Sequence, residues 1–153
     1  MPKSVIFPYG IKLREGGTLD LFPAAEVGFW SQDGQWLTLI LVVDSGATIS
    51  VLPKTDSSVF GIDAVKGKPI AITGISSETL SGWQHTVNAK FGANVIRLPV
   101  VFLDHDSAPR VLGRAGVFNR FAVVFDEKNR RTGLLAAGTK EYRTIRKALD
   151  ALS

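Results

Sequence analysis

The 153-residue chain contains no cysteine, which excludes disulfides, thiolate metal sites and cysteine nucleophiles. It also lacks a long apolar run. The longest nearly unbroken one, residues 37–43, spans seven residues, whereas a membrane-spanning helix needs about 20. The apolar stretch at the N-terminus is too short for a signal peptide. We therefore expect no membrane span, and the sequence fixes no compartment, so the cytoplasm is only the default expectation.

The basic residues are concentrated near the C-terminus. The net charge is +4, and residues 128–147 hold seven basic residues and one acid. Apolar residues at helical spacing predict a basic C-terminal helix over 139–149, with Thr139 as its N-cap. Positive charge concentrated in one turn and one helix face is typical of solvated surface. Nucleic acid is therefore not the expected partner.

The rest of the chain has the composition and punctuation of one folded β domain. Hydrophobic residues make up 45% and charged residues 21%, which favours a single domain over 1–153 with its core in about 23–135. Short apolar runs separated by glycine and proline predict an all-β fold, as a small barrel or sandwich. Asp33-Gly34 predicts a hairpin from 24–30 to 36–43, and the continuous apolar second run predicts a strand buried on both faces.

The segment most suggestive of chemistry follows that apolar run and reads Asp44-Ser45-Gly46-Ala47. A carboxylate at the end of a buried strand is costly unless it is hydrogen-bonded. Gly46 permits a tight turn that brings its N–H to the carboxylate. Such a loop could hold a partly desolvated acid, as general acid–base chemistry requires. The tripeptide alone is weak evidence, because aspartate commonly opens a turn after a strand.

A second segment strengthens this interpretation. Val111-Leu112-Gly113-Arg114 is followed by a predicted short helix up to residue 120 and by an apolar strand over 121–125. Together with the hairpin before Asp44, the Asp44 loop and the glycine-punctuated hairpin 70–82, these features resemble the retropepsin-like aspartic proteases. That family comprises the retroviral proteases and their cellular and bacterial relatives. The resemblance covers about 23–135 and implies a small closed barrel, with a short helix after residue 114.

The resemblance also implies roles for particular residues. Asp44 corresponds to the catalytic aspartate, and Ser45 to the hydroxyl residue that links the two catalytic loops across a dimer. Gly46 and Ala47 complete that loop. Residues 70–82 correspond to the flap that covers the substrate. The flap residues expected at the substrate are Ile72, Thr73, Gly74 and Ile75, and the second-half motif that folds around the Asp44 loop is Val111, Leu112, Gly113 and Arg114.

The implied enzyme is a homodimer without cofactor or metal. The chain has one Asp-Ser-Gly, and the second-half motif carries no acid, whereas this chemistry needs two carboxyls around a water. Two carboxyls about 3 Å apart cannot both ionise, so they share one proton. The resemblance therefore implies Asp44 from each of two subunits. An extended peptide would bind beneath the flaps, between pocket walls that include Ala47, Ile72, Ile75 and Val111.

Departures from the family pattern leave two questions open. Viral members often carry an acid four residues after the catalytic aspartate, where it pairs with the arginine of the second-half motif. Here that position is Thr48, so the partner of Arg114 is either Asp126 or a residue of the second subunit. The alternative function is a non-catalytic or single-target retropepsin-like domain that binds peptide or assembles with partners.

The two histidines do not suggest a metal site. His105 lies between Asp104 and Asp106, but no second histidine cluster accompanies it, so a solvated loop is expected. His85 falls on the same face of a predicted strand as Trp83 and Val87, which predicts a packed, hydrogen-bonded side chain.

Overall fold

The strands follow the glycine and proline punctuation of the sequence. A computed structural model describes residues 1–74 and 76–153. The strands are β1 (Val5–Pro8), β2 (Gly10–Leu13), β3 (Leu19–Phe22), β4 (Ala24–Trp30), β5 (Trp36–Val43), β6 (Ser50–Pro53), β7 (Lys68–Thr73), β8 (Thr79–Phe91), β9 (Asn94–Leu103), β10 (Val111–Leu112), β11 (Phe121–Asp126) and β12 (Arg131–Ala136). The helices are α1 (Lys54–Val59), a short 3₁₀ helix (Ala64–Lys66) and α2 (Lys140–Asp150).

The main sheet closes on itself. Its strands follow the order β4-β5-β10-β6-β9-β8, and β8 pairs again with β4, while β7 extends the sheet beyond β8. β10 pairs in parallel with β5, and β6 pairs in parallel with β9. The ring closes through short contacts, because β10 meets β5 only at Val42 and Val43, and β8 meets β4 only at Gly28 and Phe29. The predicted all-β fold with a C-terminal helix is confirmed.

Large apolar side chains fill the interior of this ring. The fully buried ones come from strands on all sides, so each strand contributes one face to a common core. The largest of them are Phe29, Phe91, Phe102, Leu41 and Leu52. Phe60, which follows α1, stacks on Phe29 with ring centroids 5.1 Å apart and attaches the helix to this core.

The prediction that β5 is buried on both faces is wrong. Leu41 and Val43 face the core, but the outer positions are open and Ile40 is 55% exposed. The ring has a single interior, so only one side of β5 can be covered by it. At the turn end of the hairpin, Trp36 packs edge-on against Trp30 across the strands, with ring centroids 5.2 Å apart.

A smaller sheet and the C-terminal helix lie outside the ring. β1 pairs with β12, which pairs with β11, and β2 pairs with β3 as a separate hairpin. The helix begins as predicted, because the hydroxyl of Thr139 accepts from the N–H of Tyr142 at 3.3 Å. No helix in the described part of the chain has the length and apolarity needed to cross a membrane.

The short helix expected after Arg114 is not a regular helix. Residues 115–120 form a run of turns. Helix-like bonds do occur, from the N–H of Phe118 to the carbonyl of Arg114 and from that of Phe121 to Val117, each at 3.0 Å. Gly116 adopts φ +76, outside the helical region, and this prevents the turns from continuing as a helix.

Candidate active site

Asp44 stands at the end of β5 in a loop that its own hydrogen bonds hold. Its N–H donates to the carbonyl of Leu112 at 3.0 Å, which fixes the start of the loop to β10. Its carboxylate oxygen Oδ1 accepts from the N–H of Gly46 at 2.8 Å. Among the described residues, no hydrogen bond reaches the other oxygen, Oδ2. The loop therefore orients the carboxylate through one oxygen and leaves the second available.

Gly46 is required for this close approach. A Cβ at position 46 would lie 3.2 Å from Oδ1 of Asp44, which is tighter than ordinary packing. The next residue, Ala47, closes the turn by donating its N–H to the carbonyl of Asp44 at 3.2 Å. The expected turn around the carboxylate is thus present. Its desolvation is not, because Asp44 and Ser45 are exposed in the single chain.

The second-half motif wraps around this loop. Gly113 passes so close to Ile49 that a Cβ on the glycine would overlap the backbone of Ile49. The N–H groups of Arg114 and Ala115 then donate to the carbonyls of Ala47 and Thr48, both at 2.9 Å. The structure therefore brings residues 44–48 and 111–115 together, as the resemblance implied.

Ser50 contributes a contact that sequence reasoning missed. Its fully buried hydroxyl accepts from the N–H of Gly113 at 3.0 Å. A hydroxyl residue between the apolar residues Ile49 and Val51 was the available signal, because a buried hydroxyl must find a partner. Ser50 thereby ties the start of β6 to the turn after β10.

Arg114 does not pair with Asp126. The carboxylate of Asp126 accepts from Nε of Arg131 at 2.8 Å and from the amide of Asn129 at 2.9 Å. These bonds lower the pKa of Asp126. Within residues 1–74 and 76–153, Arg114 forms no ion pair. The Asp126 alternative is therefore wrong, and the second subunit stays a prediction.

An ion pair that was not predicted lies just before the second-half motif. Arg110 contacts Asp56 of α1 through Nε to Oδ2 at 2.8 Å and Nη2 to Oδ1 at 3.0 Å. The hydrogen bond to Asp56 is the main cause that raises the pKa of Arg110. The carbonyl of Arg110 also accepts from the N–H of Val42 at 2.9 Å. Arg110 thus connects α1 to the strand that carries Asp44.

The hairpin expected as the flap is formed by β7 and the first part of β8. Ile72 pairs with Leu80 and Thr73 pairs with Thr79, and Gly74 lies beyond the last pair with open space around it. Ile72 is half-buried, and Thr73 and Gly74 are exposed. Ile75 lies outside the described residues. The other expected pocket walls, Ala47 and Val111, are half-buried.

The histidines have no metal-binding neighbourhood. In the part of the chain that the structure describes, no group of three or more His, Cys, Asp or Glu side chains could hold an ion. His85 is packed as predicted: its Nε2 lies 2.8 Å from the carbonyl of Ala64, and its ring contacts that of Phe102 edge-on. This bond fixes the 3₁₀ helix that leads into β7.

Comparisons with known proteins bear on the fold. No protein-family model matches the chain, and no curated protein matches it in sequence. Among solved structures, it is similar to a retropepsin-like aspartic protease from Rickettsia conorii, with TM-score 0.58, 16% identity, and coverage of 88% of this chain and 100% of that one. It is also similar to the EIAV protease complexed with the inhibitor HBY-793, with TM-score 0.50, 20% identity, and coverage of 64% and 86%. The chain thus has the retropepsin fold.

Proposed function

We propose that this protein is an aspartic endopeptidase of the retropepsin type, active as a homodimer with one Asp44 from each copy. The observation that carries the proposal is the Asp44 loop. Its carboxylate is oriented by the N–H of Gly46, and the loop is fixed to Leu112 and to the turn at Gly113, on a fold shared with aspartic proteases. A carboxylate held in this way, with Oδ2 open, is placed for acid–base chemistry on a water.

Two copies supply what one chain lacks. Peptide hydrolysis would begin when one Asp44 carboxylate takes a proton from a water and the other, protonated, donates a hydrogen bond to the peptide carbonyl. The water oxygen bonds to the carbonyl carbon, the C–N bond then breaks, and the leaving amine takes a proton from the carboxyl pair. Association would also bury Asp44, and so provide the desolvation that the exposed loop of a single chain does not.

The free edge of β11 supports such association. β11 is one of the two outer strands of the sheet β1-β12-β11, and among the described residues it pairs only with β12. The carbonyl of Arg120 accepts from the N–H of Ala137, which continues the register between β11 and β12. In an antiparallel ladder every second residue bonds to the neighbouring strand, so the N–H and C=O groups of Val123 and Phe125 point away from β12. Phe125 is 40% exposed. An unpaired apolar edge favours pairing with another chain, and two antiparallel copies of β11 would satisfy each other.

The substrate would be an extended peptide beneath the two β7–β8 hairpins. Backbone groups near Thr73 and Gly74 would bind its main chain, and Ile72, Ala47 and Val111 would form apolar pocket walls. Ser45, next to Asp44, would link the two loops across the dimer.

The activity test compares wild type with Asp44→Asn on a library of quenched fluorescent peptides. We expect Asp44→Asn to lose at least about a thousandfold in kcat/KM, because its amide cannot take the proton of the water. Asp63→Asn is the matched control, since Asp63 is exposed and lies outside the loop. A statine-type transition-state mimic should inhibit the wild type. Full activity of Asp44→Asn would refute the proposal.

Mixing tests the dimer directly. If mixed dimers are inactive, a tenfold excess of Asp44→Asn protein should lower the wild-type activity about tenfold, whereas a self-sufficient single chain would be unaffected. Val123→Pro removes one outward N–H of β11 but no bond to β12. It should raise the dimer dissociation constant at least about tenfold in sedimentation equilibrium. A strict monomer that binds peptide without cleaving it would favour the non-catalytic alternative.

A further inference from the structure

Arg114 presents a basic side chain beside the Asp44 loop. Its N–H is fixed to the carbonyl of Ala47 at 2.9 Å, three residues after Asp44, and its side chain is exposed. The ion pairs found in residues 1–74 and 76–153 involve other basic side chains. An arginine whose backbone is hydrogen-bonded and whose guanidinium is exposed can bind a carboxylate through two parallel hydrogen bonds.

Arg114 and its neighbours line a shallow, open cavity of about 410 Å³. Its lining residues are Thr48, Arg114, Ala115, Gly116, Phe118 and Asn119. None of these six is acidic. The hydroxyl of Thr48 and the amide of Asn119 can donate further hydrogen bonds, and the ring of Phe118 offers apolar surface to a short methylene stem. The chemistry of the lining fits the side chain of glutamate or aspartate.

The wall of this cavity is fixed. The N–H of Ala115 donates to the carbonyl of Thr48 at 2.9 Å, so both sides of the cavity belong to one hydrogen-bonded unit. Gly116 packs closely on β9, where a Cβ on the glycine would lie 3.0 Å from the ring of Pro99. A site held in this way loses little conformational entropy when it binds a ligand.

We propose that this cavity binds an acidic side chain of an extended peptide substrate, an inference that rests on the proposed function. Ala47 follows Asp44 by three positions of the loop, which span at most about 10 Å. Successive residues of an extended peptide are about 3.3 Å apart. The acidic residue would therefore lie two to four positions from the scissile bond, and the second copy of the chain would repeat the preference on the other side.

The test uses matched peptides. A bond that the wild type cleaves in an unfolded protein is located by mass spectrometry, and peptides around it are made with Glu or Gln at each of the positions two to four residues from the bond. At one or more positions we expect the Glu peptide to have about fivefold higher kcat/KM than the Gln peptide, since the ion pair is only partly desolvated. The ratio should fall as salt screens the charges.

Variants of arginine identify the group responsible. In Arg114→Gln the Glu/Gln ratio should fall to about one, and in Arg114→Lys it should be intermediate, because an ammonium lacks the bidentate geometry. Arg120→Gln is the matched control, because Arg120 is also exposed but lines a different cavity, and it should keep the wild-type ratio. Circular dichroism checks that each variant is folded.

Each other outcome overturns the proposal. A Glu/Gln ratio within about twofold of one at every position in the wild type means that no carboxylate of the substrate binds here. A ratio that survives in Arg114→Gln assigns the preference to another residue. If Arg114→Gln instead weakens the dimer and leaves the ratio intact, the carboxylate comes from the second copy. Equal cleavage of Glu and Gln peptides would leave the proposed protease function standing, whereas absence of all cleavage would remove that function as well.

Discussion

Arg110 donates two hydrogen bonds to the carboxylate of Asp56, at 2.8 and 3.0 Å, across 54 positions of sequence. The Asp56 side chain is 11% exposed and that of Arg110 is 44% exposed, so the pair lies at the boundary of the interior. Because the carbonyl of Arg110 also holds Val42, two residues before Asp44, this ion pair connects a helix to the strand that ends at the candidate site.

Removing one member of this pair should cost stability. We expect Arg110→Ala to lower the free energy of unfolding by about 1–2 kcal/mol, because it leaves the carboxylate of Asp56 buried without its partner, and exposure of Arg110 limits the loss. Urea denaturation measures the change. Arg146→Ala, which breaks the exposed pair with Asp150, should cost less than about 0.5 kcal/mol. Equal losses in the two variants would contradict this role of the Arg110–Asp56 pair.

Gly113 should not tolerate a side chain. A Cβ there would meet the backbone of Ile49, so Gly113→Ala must push the two loops apart. We expect the free energy of unfolding to fall by about 3 kcal/mol or more. Gly133→Ala is the control: Gly133, in β12, is also buried, but a Cβ there would have its nearest contact at an ordinary 3.7 Å. The two midpoints of urea unfolding give the comparison. Similar midpoints would show that the loops can separate at little cost.

The buried hydroxyl of Ser50 should contribute through its single partner. In Ser50→Ala the N–H of Gly113 has no acceptor, and we expect the free energy of unfolding to fall by about 1–3 kcal/mol. The kcat of any activity that depends on the Asp44 loop should fall as well. Ser58→Ala removes an exposed hydroxyl that donates to the carbonyl of Thr55, and should change stability by less than about 0.5 kcal/mol. Amide exchange at Gly113 provides a local measurement, since its protection should fall only in Ser50→Ala.

Features set by neighbouring residues were predictable from the sequence. The turn at Asp44 and Gly46 follows from the local hydrogen bonding of aspartate and the freedom of glycine, and the hairpin at Asp33-Gly34 follows from turn chemistry. The N-cap at Thr139 follows from the free N–H groups at a helix start. Each of these rules operates within a few residues, so the fold around them did not need to be known.

Features set by the fold as a whole were not predictable in the same way. Asp56 and Arg110 each look like a surface charge, and only the six-residue helix α1, too short to show a periodic pattern, brings them together. The apolar run of β5 indicated burial on both sides, but closure of the ring gives it one interior face. Asp126 is not the partner of Arg114 because Arg131, closer to Asp126 along the chain, binds that carboxylate.

Asp126 should make the turn between β11 and β12 sensitive to acid. Hydrogen bonds from Asn129 and Arg131 lower the pKa of Asp126 in the folded chain. The folded state therefore releases this proton more readily than the unfolded state, and the stabilisation is complete at a pH above the ordinary pKa of an aspartate side chain. It is lost as the pH falls through the lowered pKa. Asp126→Asn should have a lower melting temperature than the wild type at pH 7, and the difference should narrow as the pH falls below the ordinary pKa of aspartate and through the lowered one.

Arg131→Ala separates the charge effect at Asp126 from the loss of a turn residue. Without the guanidinium, the pKa of Asp126 should be lowered less. The difference in melting temperature between Arg131→Ala and the double variant Arg131→Ala, Asp126→Asn should therefore depend less on pH than the difference between the wild type and Asp126→Asn. Thermal melting of all four proteins from pH 2 to pH 7 gives both curves. If the wild type and Asp126→Asn differ equally at every pH, the carboxylate stabilises the turn by shape alone, and its hydrogen bonds to Asn129 and Arg131 do not favour the charged form.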